Sequence, residues 1–131
     1  MRLIHDRDNN ALRLVLGDDP ALPGTTSRMN GLVDVTAGGR LAGIELHTGD
    51  TEPEARNRLG RWLSDPVAGQ YVTVEPDGTV YIELTAGEPG DDVRSSELDL
   101  VVETGLGGEM LAVSIPRRGA GYEISYPSGN R

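Results

Sequence analysis

The chain has no cysteine and no phenylalanine, and its aromatic residues are one tryptophan and four tyrosines. Without cysteine, no disulfide, thiolate nucleophile or thiolate metal site can form. Without phenylalanine, the core has to be built from leucine, valine, isoleucine and alanine. This composition favours a thin, sheet-based fold over one packed around large rings.

Long hydrophobic runs are also missing. No stretch approaches the roughly 18 consecutive apolar residues that a membrane-spanning helix requires. The first ten residues, MRLIHDRDNN, are charged and do not resemble a secretory signal peptide. These absences predict a soluble, cytoplasmic protein that does not associate with membranes.

Positive charge is scarce. Twelve lysines and arginines stand against 21 aspartates and glutamates, which gives a formal net charge of -9. Nucleic-acid binding depends on cations that neutralise phosphates, so this balance disfavours a nucleic-acid partner. An acidic surface suits a basic protein partner, although keeping a protein soluble is the commoner reason for one.

What the chain does contain is a repeat. The segment DVTAGGRLAGIEL begins at Asp34 and returns as ETGLGGEMLAVSI from Glu103, with the paired glycines in the same place. A chain of 131 residues is the size of one domain. We therefore expect a single domain, 1–131, built from two repeats, 1–50 and 71–118, that are joined by a helix at 52–64.

Alternating apolar residues in both repeats predict a mainly β fold. Each repeat is read as an antiparallel meander, and one meander alone is too small to bury its sheet. The two meanders are expected to pack with pseudo-twofold symmetry as a sandwich or a flattened barrel. In the first hairpin, a two-residue Gly-Gly turn would place Val33 opposite Ile44 and Val35 opposite Ala42 on the core face.

One connecting α-helix is predicted between the repeats. Thr51 and Glu54 have the spacing of a capping box, and Pro53 is tolerated in a first turn. Apolar residues then recur at helical spacing up to Trp62, while Gly60 weakens the helix. Trp62 is interpreted mainly as the residue that packs this helix onto the sheet.

The order of features within each repeat resembles the small bacterial family named domain of unknown function 2283. The shared features are an acidic turn, a strand such as Tyr81-Ile82-Glu83-Leu84, a Thr/Ser-Arg stretch and a strand-turn-strand with glycine at its tip. The second repeat is the closer match, because the first has Asn9-Asn10 at the turn. The resemblance implies a small β-rich fold and brings no activity or functional residue with it.

The polar face of the hairpin has two possible interpretations. Polar residues on the second face of the hairpin strands can belong to a solvated sheet face or to a general acid–base pair, and the solvated face is the favoured interpretation. Apolar residues on that face indicate that something covers it. The predicted interaction face consists of Leu32, Asp34, Leu41, Val101 and Glu103.

Ligand-binding candidates are few, and no catalytic residue is identified. The two histidines, with Asp6, Asp8 and Asp50 nearby, could in principle bind a divalent metal or take part in acid–base chemistry. Nothing in the sequence fixes their distance apart, so neither a metal nor a cofactor is expected. The candidates for a ligand site are His5, Trp62, Tyr81, Tyr71, Glu45 and His47.

Two functional hypotheses follow. The first is a non-enzymatic binding protein whose acidic, partly apolar sheet face docks a protein partner or a second copy of the chain as a homodimer. The alternative is a small β-barrel enzyme or carrier, of the cyclase or isomerase kind, that holds an apolar metabolite in a pocket. The sequence leaves open whether the protein is an enzyme, but a barrel enzyme would need a cavity of at least about 300 Å³.

Overall fold

The computed structural model describes residues 1–16, 24–84 and 92–125. The turn-rich loops at 17–23 and 85–91 lie outside the described residues, and the last strand that the sequence predicts, Tyr122 to Tyr126, is described up to residue 125. The described strands are β1 Arg2–Asp6, β2 Ala11–Val15, β3 Thr25–Thr36, β4 Leu41–Leu46, β5 Val72–Val74, β6 Val80–Glu83, β7 Val93–Thr104, β8 Met110–Pro116, β9 Arg118–Gly119 and β10 Tyr122–Glu123. The helices are α1 Glu52–Arg58, α2 Gly60–Ser64 and a 3₁₀ turn at Ala68–Gln70.

Eight of these strands form one antiparallel sheet in the order β1-β2-β8-β7-β3-β4-β6-β5. The sheet curls into a half-barrel, and β9 and β10 form a separate two-stranded ribbon. The predicted mainly β fold is confirmed. The two meanders are interleaved within this one sheet, since β2 pairs with β8 and β6 pairs with β4. Internal duplication and pseudo-twofold symmetry stay predictions from the sequence.

The middle of the sheet is the pairing of β3 with β7. Twelve residue pairs run without a break from Thr25 opposite Thr104 to Thr36 opposite Val93. The sequence predicts two separate strands here, an edge strand from Thr25 to Met29 and a hairpin strand from Gly31 to Val35. That division is wrong, because Asn30 pairs with Asp99 and its carbonyl accepts the backbone N–H of His47 at 2.9 Å.

The hairpin turns differ from the predicted two-residue type. Thr36 N–H donates to the carbonyl of Arg40 at 2.8 Å, and Gly39 has a left-handed φ of 81°. A three-residue turn that ends in a left-handed glycine introduces a β-bulge, and here the extra residue is Ala42. Val33 does lie opposite Ile44, but Val35 lies opposite Leu41 instead of Ala42.

This bulge corrects the placement of Leu41. The extra residue turns the Leu41 side chain onto the core face, where it is 6% exposed and belongs to the main apolar cluster. Leu41 therefore cannot contribute to an interaction face on the opposite side of the sheet.

The connecting helix begins as predicted but does not run through. Thr51 and Glu54 form the capping box, with the Thr51 N–H donating to Glu54 Oε1 at 3.0 Å. The helix is interrupted at Leu59, whose ψ of 13° lies outside the α-helical range, and a second helix begins at Gly60. One connecting helix is thus corrected to two short ones, at the glycine that was expected to weaken it.

The core lies between the helices and one face of the sheet, called here the inner face. Ala55, Leu59 and Trp62 are fully buried and pack in one cluster with inward residues of the sheet such as Leu14 and Ile82. The indole N–H of Trp62 donates to the carbonyl of Met110 at 2.9 Å. This bond supplies the partner that a buried indole requires and fixes α2 on β8.

Replacing this hydrogen bond donor should destabilise the protein. In Trp62→Phe a smaller ring replaces the indole and the buried Met110 carbonyl loses its donor, so the free energy of unfolding should fall by at least about 2 kcal/mol. Urea denaturation followed by far-UV circular dichroism measures this. The exposed substitution Arg56→Ala on α1 serves as the control and should cost less than about 0.5 kcal/mol. An equal loss in both variants would contradict the proposed role of the Trp62 bond.

Candidate site on the outer sheet face

The opposite side of the sheet, called here the outer face, carries side chains that alternate with the core residues. Leu32 and Asp34 on β3, and Val101 and Glu103 on β7, are half-buried, while Val33 and Val102 between them are fully buried. Four of the five residues predicted for an interaction face therefore share one face. The fifth is Leu41.

A hydrogen-bonded cluster is centred on Asp34. Tyr81 reaches across β4 from β6, and its hydroxyl donates to Asp34 Oδ2 at 2.8 Å. The hydroxyl of Ser95 donates to Asp34 Oδ1 at 2.5 Å. Burial, the hydrogen bond to Asp34 and the negative charge of that carboxylate raise the pKa of Tyr81. The phenol therefore remains neutral and holds Asp34 in place.

Gly43 makes room for this contact. A Cβ at position 43 would lie 2.7 Å from Cζ of Tyr81 and closer still to its hydroxyl oxygen. The missing side chain lets the ring lie flat over β4, which is a common use of glycine in a strand. This strand glycine thus positions a polar group.

A comparable contact lies on the other side of the central strands β3 and β7. Arg13 reaches across β8 from β2, and its Nε and Nη2 donate to the two carboxylate oxygens of Glu103 at 2.6 and 2.9 Å. This bidentate geometry is the strong form of an arginine–carboxylate pair. Glu103 is consequently neutralised by a fixed cation, whereas Asp34 keeps its negative charge.

Glu45 lies next to Tyr81 in the sheet register and contacts His47. His47 Nε2 lies 2.7 Å from Glu45 Oε2, and its Nδ1 lies 3.1 Å from Asn30 Oδ1. Three of the six predicted ligand residues, Tyr81, Glu45 and His47, are therefore brought together on the outer face.

The two sides of the outer face differ in charge. Leu32 lies in register between Glu97 of β7 and Glu45 of β4. Val101 lies in register between Arg28 of β3 and Ser114 of β8. We name the acidic half-face by its six residues: Leu32, Asp34, Glu45, Tyr81, Glu83 and Glu97.

The other three candidates lie elsewhere. Trp62 is in the core, and Tyr71, before β5, is 41% exposed. His5 on the edge strand β1 pairs with Leu12 and therefore points to the inner face, where burial and the nearby Arg117 and Arg7 lower its pKa. These residues do not form one site with the outer face.

Sequence reasoning missed a cleft at one end of the sheet. This end cleft has a volume of about 340 Å³ and is lined by Val35, Thr36, Ala37, Gly39, Asp92, Arg94, Gly121, Tyr122 and Glu123. Its residues come from three distant parts of the chain, so no local pattern could have indicated it.

Several chemistries find no support in the described part of the chain. Residues 1–16, 24–84 and 92–125 contain no group of three histidine, aspartate or glutamate side chains placed to hold a metal ion. Within the same ranges, no helix combines the length and apolar character needed to cross a bilayer. What the outer face can do is present carboxylates in fixed positions around an apolar centre.

The raised pKa of Tyr81 predicts a pH dependence. An unfolded tyrosine ionises near pH 10, so the contribution of the folded, neutral phenol is complete below that pH and is lost as the pH rises above it. At pH 7, Tyr81→Phe should be about 1 kcal/mol less stable than the parent, and the difference should shrink above about pH 10. Urea denaturation at a series of pH values measures this.

The matched control is Tyr71→Phe, which removes a hydroxyl from an exposed ring. It should change stability by less than about 0.5 kcal/mol and show the parent's pH dependence. If the stability difference between Tyr81→Phe and the parent stayed constant with pH, the raised pKa of Tyr81 would be contradicted.

Substitution of Gly43 should break the same cluster sterically. The Cβ of Gly43→Ala displaces the Tyr81 ring from Asp34, and the free energy of unfolding should fall by about 1–2 kcal/mol. Adding Gly43→Ala to a Tyr81→Ala variant should cost clearly less, because the ring is already gone. Equal costs in the two backgrounds would show that the ring is not the cause. Gly60→Ala, where a Cβ meets nothing within 4 Å, is the control.

Comparisons of this chain with protein-family models, with curated proteins and with solved structures find no significant match. The resemblance to domain of unknown function 2283 therefore stays a prediction from the sequence. Function has to be argued from the geometry of the chain itself.

Proposed function

We propose that this protein is a non-enzymatic binding protein whose acidic half-face docks a basic segment of a protein partner. The observation that supports this most directly is the position of Leu32. An aliphatic side chain stands half-buried on a polar sheet face, in register between the carboxylates of Glu97 and Glu45. An apolar centre with a charged rim is the usual composition of a protein interface.

Carboxylates on this surface are available to bind cations. Asp34 is fixed by two hydroxyl donors, which leave its charge intact. Among the described residues, no cation pairs with Glu83 or Glu97, and both are exposed. The fixed carboxylate of Asp34 and the unpaired carboxylates of Glu83 and Glu97 favour arginine and lysine side chains of a partner, and they also speed its approach.

Charge also distinguishes a basic partner from a second copy. Two acidic half-faces brought together would oppose carboxylate to carboxylate, and such like-charge contacts cost several kcal/mol. A homodimer, which the sequence left open, is therefore the weaker form of the docking hypothesis at this surface. A partner with alternating basic and apolar residues matches the alternation of the face.

A second candidate function, a carrier or enzyme for a small metabolite, is favoured by one observation. The end cleft, at about 340 Å³, reaches the size range of small-molecule sites. It lies at the end of the sheet and not beneath the helices, where Trp62 and its neighbours fill the space.

A short fluorescent peptide that alternates arginine and leucine tests the docking proposal by fluorescence anisotropy. The peptide should bind, its affinity should fall with added salt, and a glutamate–leucine peptide should not bind. Leu32→Lys should weaken binding at least about tenfold, because it places a cation at the centre of the surface. Glu97→Gln should weaken binding less and flatten the salt dependence.

Val101→Lys is the matched control, since it makes the same change at the corresponding half-buried position outside the acidic half-face. It should alter peptide affinity less than about twofold. Equal losses for Leu32→Lys and Val101→Lys would refute docking at this surface. Self-association in sedimentation experiments that Leu32→Lys abolishes would replace the basic partner with a second copy.

A further inference from the structure

The end cleft has fixed walls. At its base, Val35 pairs with Arg94 where β3 and β7 end, and Ala37 N–H donates to the Asp92 carbonyl at 3.1 Å. The opposite wall is the segment around Tyr122, which is tied down by the neighbouring buried residue Ile124. A built wall of this kind distinguishes the cleft from a groove between loose surface loops.

Several bonds hold that wall in place. The Ile124 carbonyl accepts Nε and Nη2 of Arg117 at 3.2 and 2.9 Å. Ser125 N–H donates to the Gly39 carbonyl at 2.6 Å, so the C-terminal segment is hydrogen-bonded to the tip of the β3–β4 hairpin. The shape of the cleft is therefore preorganised, which reduces the entropy lost when a ligand binds.

Two charged side chains in the end cleft, Arg94 and Asp92, lack a charged partner among the described residues. Among the described residues, no carboxylate pairs with Arg94 and no cation pairs with Asp92. Glu123 is offset by Arg118, whose Nη2 lies 3.2 Å from its Oε1. The cleft thus presents one cation and one anion that are both available to a ligand.

Arg94 lies on β7 and Asp92 directly precedes that strand, and both line the same cleft. A guanidinium matches a carboxylate through two parallel hydrogen bonds, and a carboxylate accepts the protons of an ammonium group. A ligand that carries both charges on adjacent atoms can satisfy both residues together.

The remaining surface of the end cleft is suited to an apolar group. Val35 is buried at its base, and Tyr122 contributes a half-buried ring whose pKa is raised by burial. Arg94 and Asp92 are both exposed, so a ligand that carries both charges gains a charge-assisted hydrogen bond from each of them, whereas a ligand with one charge gains only one.

We propose that the end cleft binds a small zwitterion of the α-amino-acid type with an apolar side chain. Arg94 receives the carboxylate, Asp92 receives the ammonium group, and the side chain packs between Val35 and Tyr122. This proposal gives a ligand class to the second candidate function. It concerns residues separate from the acidic half-face, so it can succeed or fail independently of docking.

Three matched probes test it: L-phenylalanine, 2-phenylethylamine, which lacks the carboxylate, and 3-phenylpropanoate, which lacks the ammonium group. Binding is measured by chemical-shift changes in ¹⁵N-labelled protein, with shifts expected at Val35, Ala37, Arg94 and Tyr122. L-Phenylalanine should bind at least about tenfold more tightly than either truncated probe, as expected for loss of a charge-assisted hydrogen bond.

Charge-neutral variants then assign each contact. Arg94→Gln should weaken the binding of L-phenylalanine and 3-phenylpropanoate but not that of 2-phenylethylamine. Asp92→Asn should weaken the binding of L-phenylalanine and 2-phenylethylamine but not that of 3-phenylpropanoate. Arg28→Gln, an exposed arginine on the outer face, should affect none of the three. The proposal is overturned if no probe binds at millimolar concentration, if all three bind equally, or if the two variants fail to separate the probes. Unchanged thermal unfolding of both variants confirms that the fold is intact.

Discussion

The antiparallel pairing of β3 with β7 is the interaction on which the rest of the structure depends. Its twelve consecutive residue pairs form the middle of the sheet, and β4 and β8 attach to its two sides. All other strands of the main sheet are added outward from these. Because both central strands alternate, Val33, Val35, Leu100 and Val102 join the core and the intervening side chains form the outer face.

The same pairing sets the chemistry of the outer face. It places Asp34 and Glu103 on neighbouring strands, but each carboxylate receives its partner from a different outer strand. Glu103 is bound by the cation of Arg13, whereas Asp34 is bound by the neutral hydroxyl of Tyr81. The two contacts have similar geometry but different donors. One half of the outer face is therefore acidic, and the charges of the other half nearly cancel. This difference in charge is the reason for proposing a basic partner and not a second copy.

Local signals in the sequence were reliable where neighbours along the chain decide the outcome. The capping box at Thr51 and the opposition of Val33 and Ile44 were both predicted and are both present. The errors arose from small backbone features. The left-handed turn residue at Gly39 adds a bulge that buries Leu41, and the helix divides next to Gly60. The presence of a glycine does not by itself decide whether a strand bulges or a helix divides, because glycine permits many backbone conformations.

The alternation of apolar and polar residues by itself determined that the chain is mainly β and which side chains of each strand share a face. The composition of the sequence determined the overall negative charge. Only the tertiary structure decided the order of the strands, the contact of Tyr81 with Asp34 and the existence of the end cleft. Each of these joins residues far apart in sequence, and the pairing energy of two strands depends on which edges meet in space. Alternation along a single strand carries no information about its neighbour.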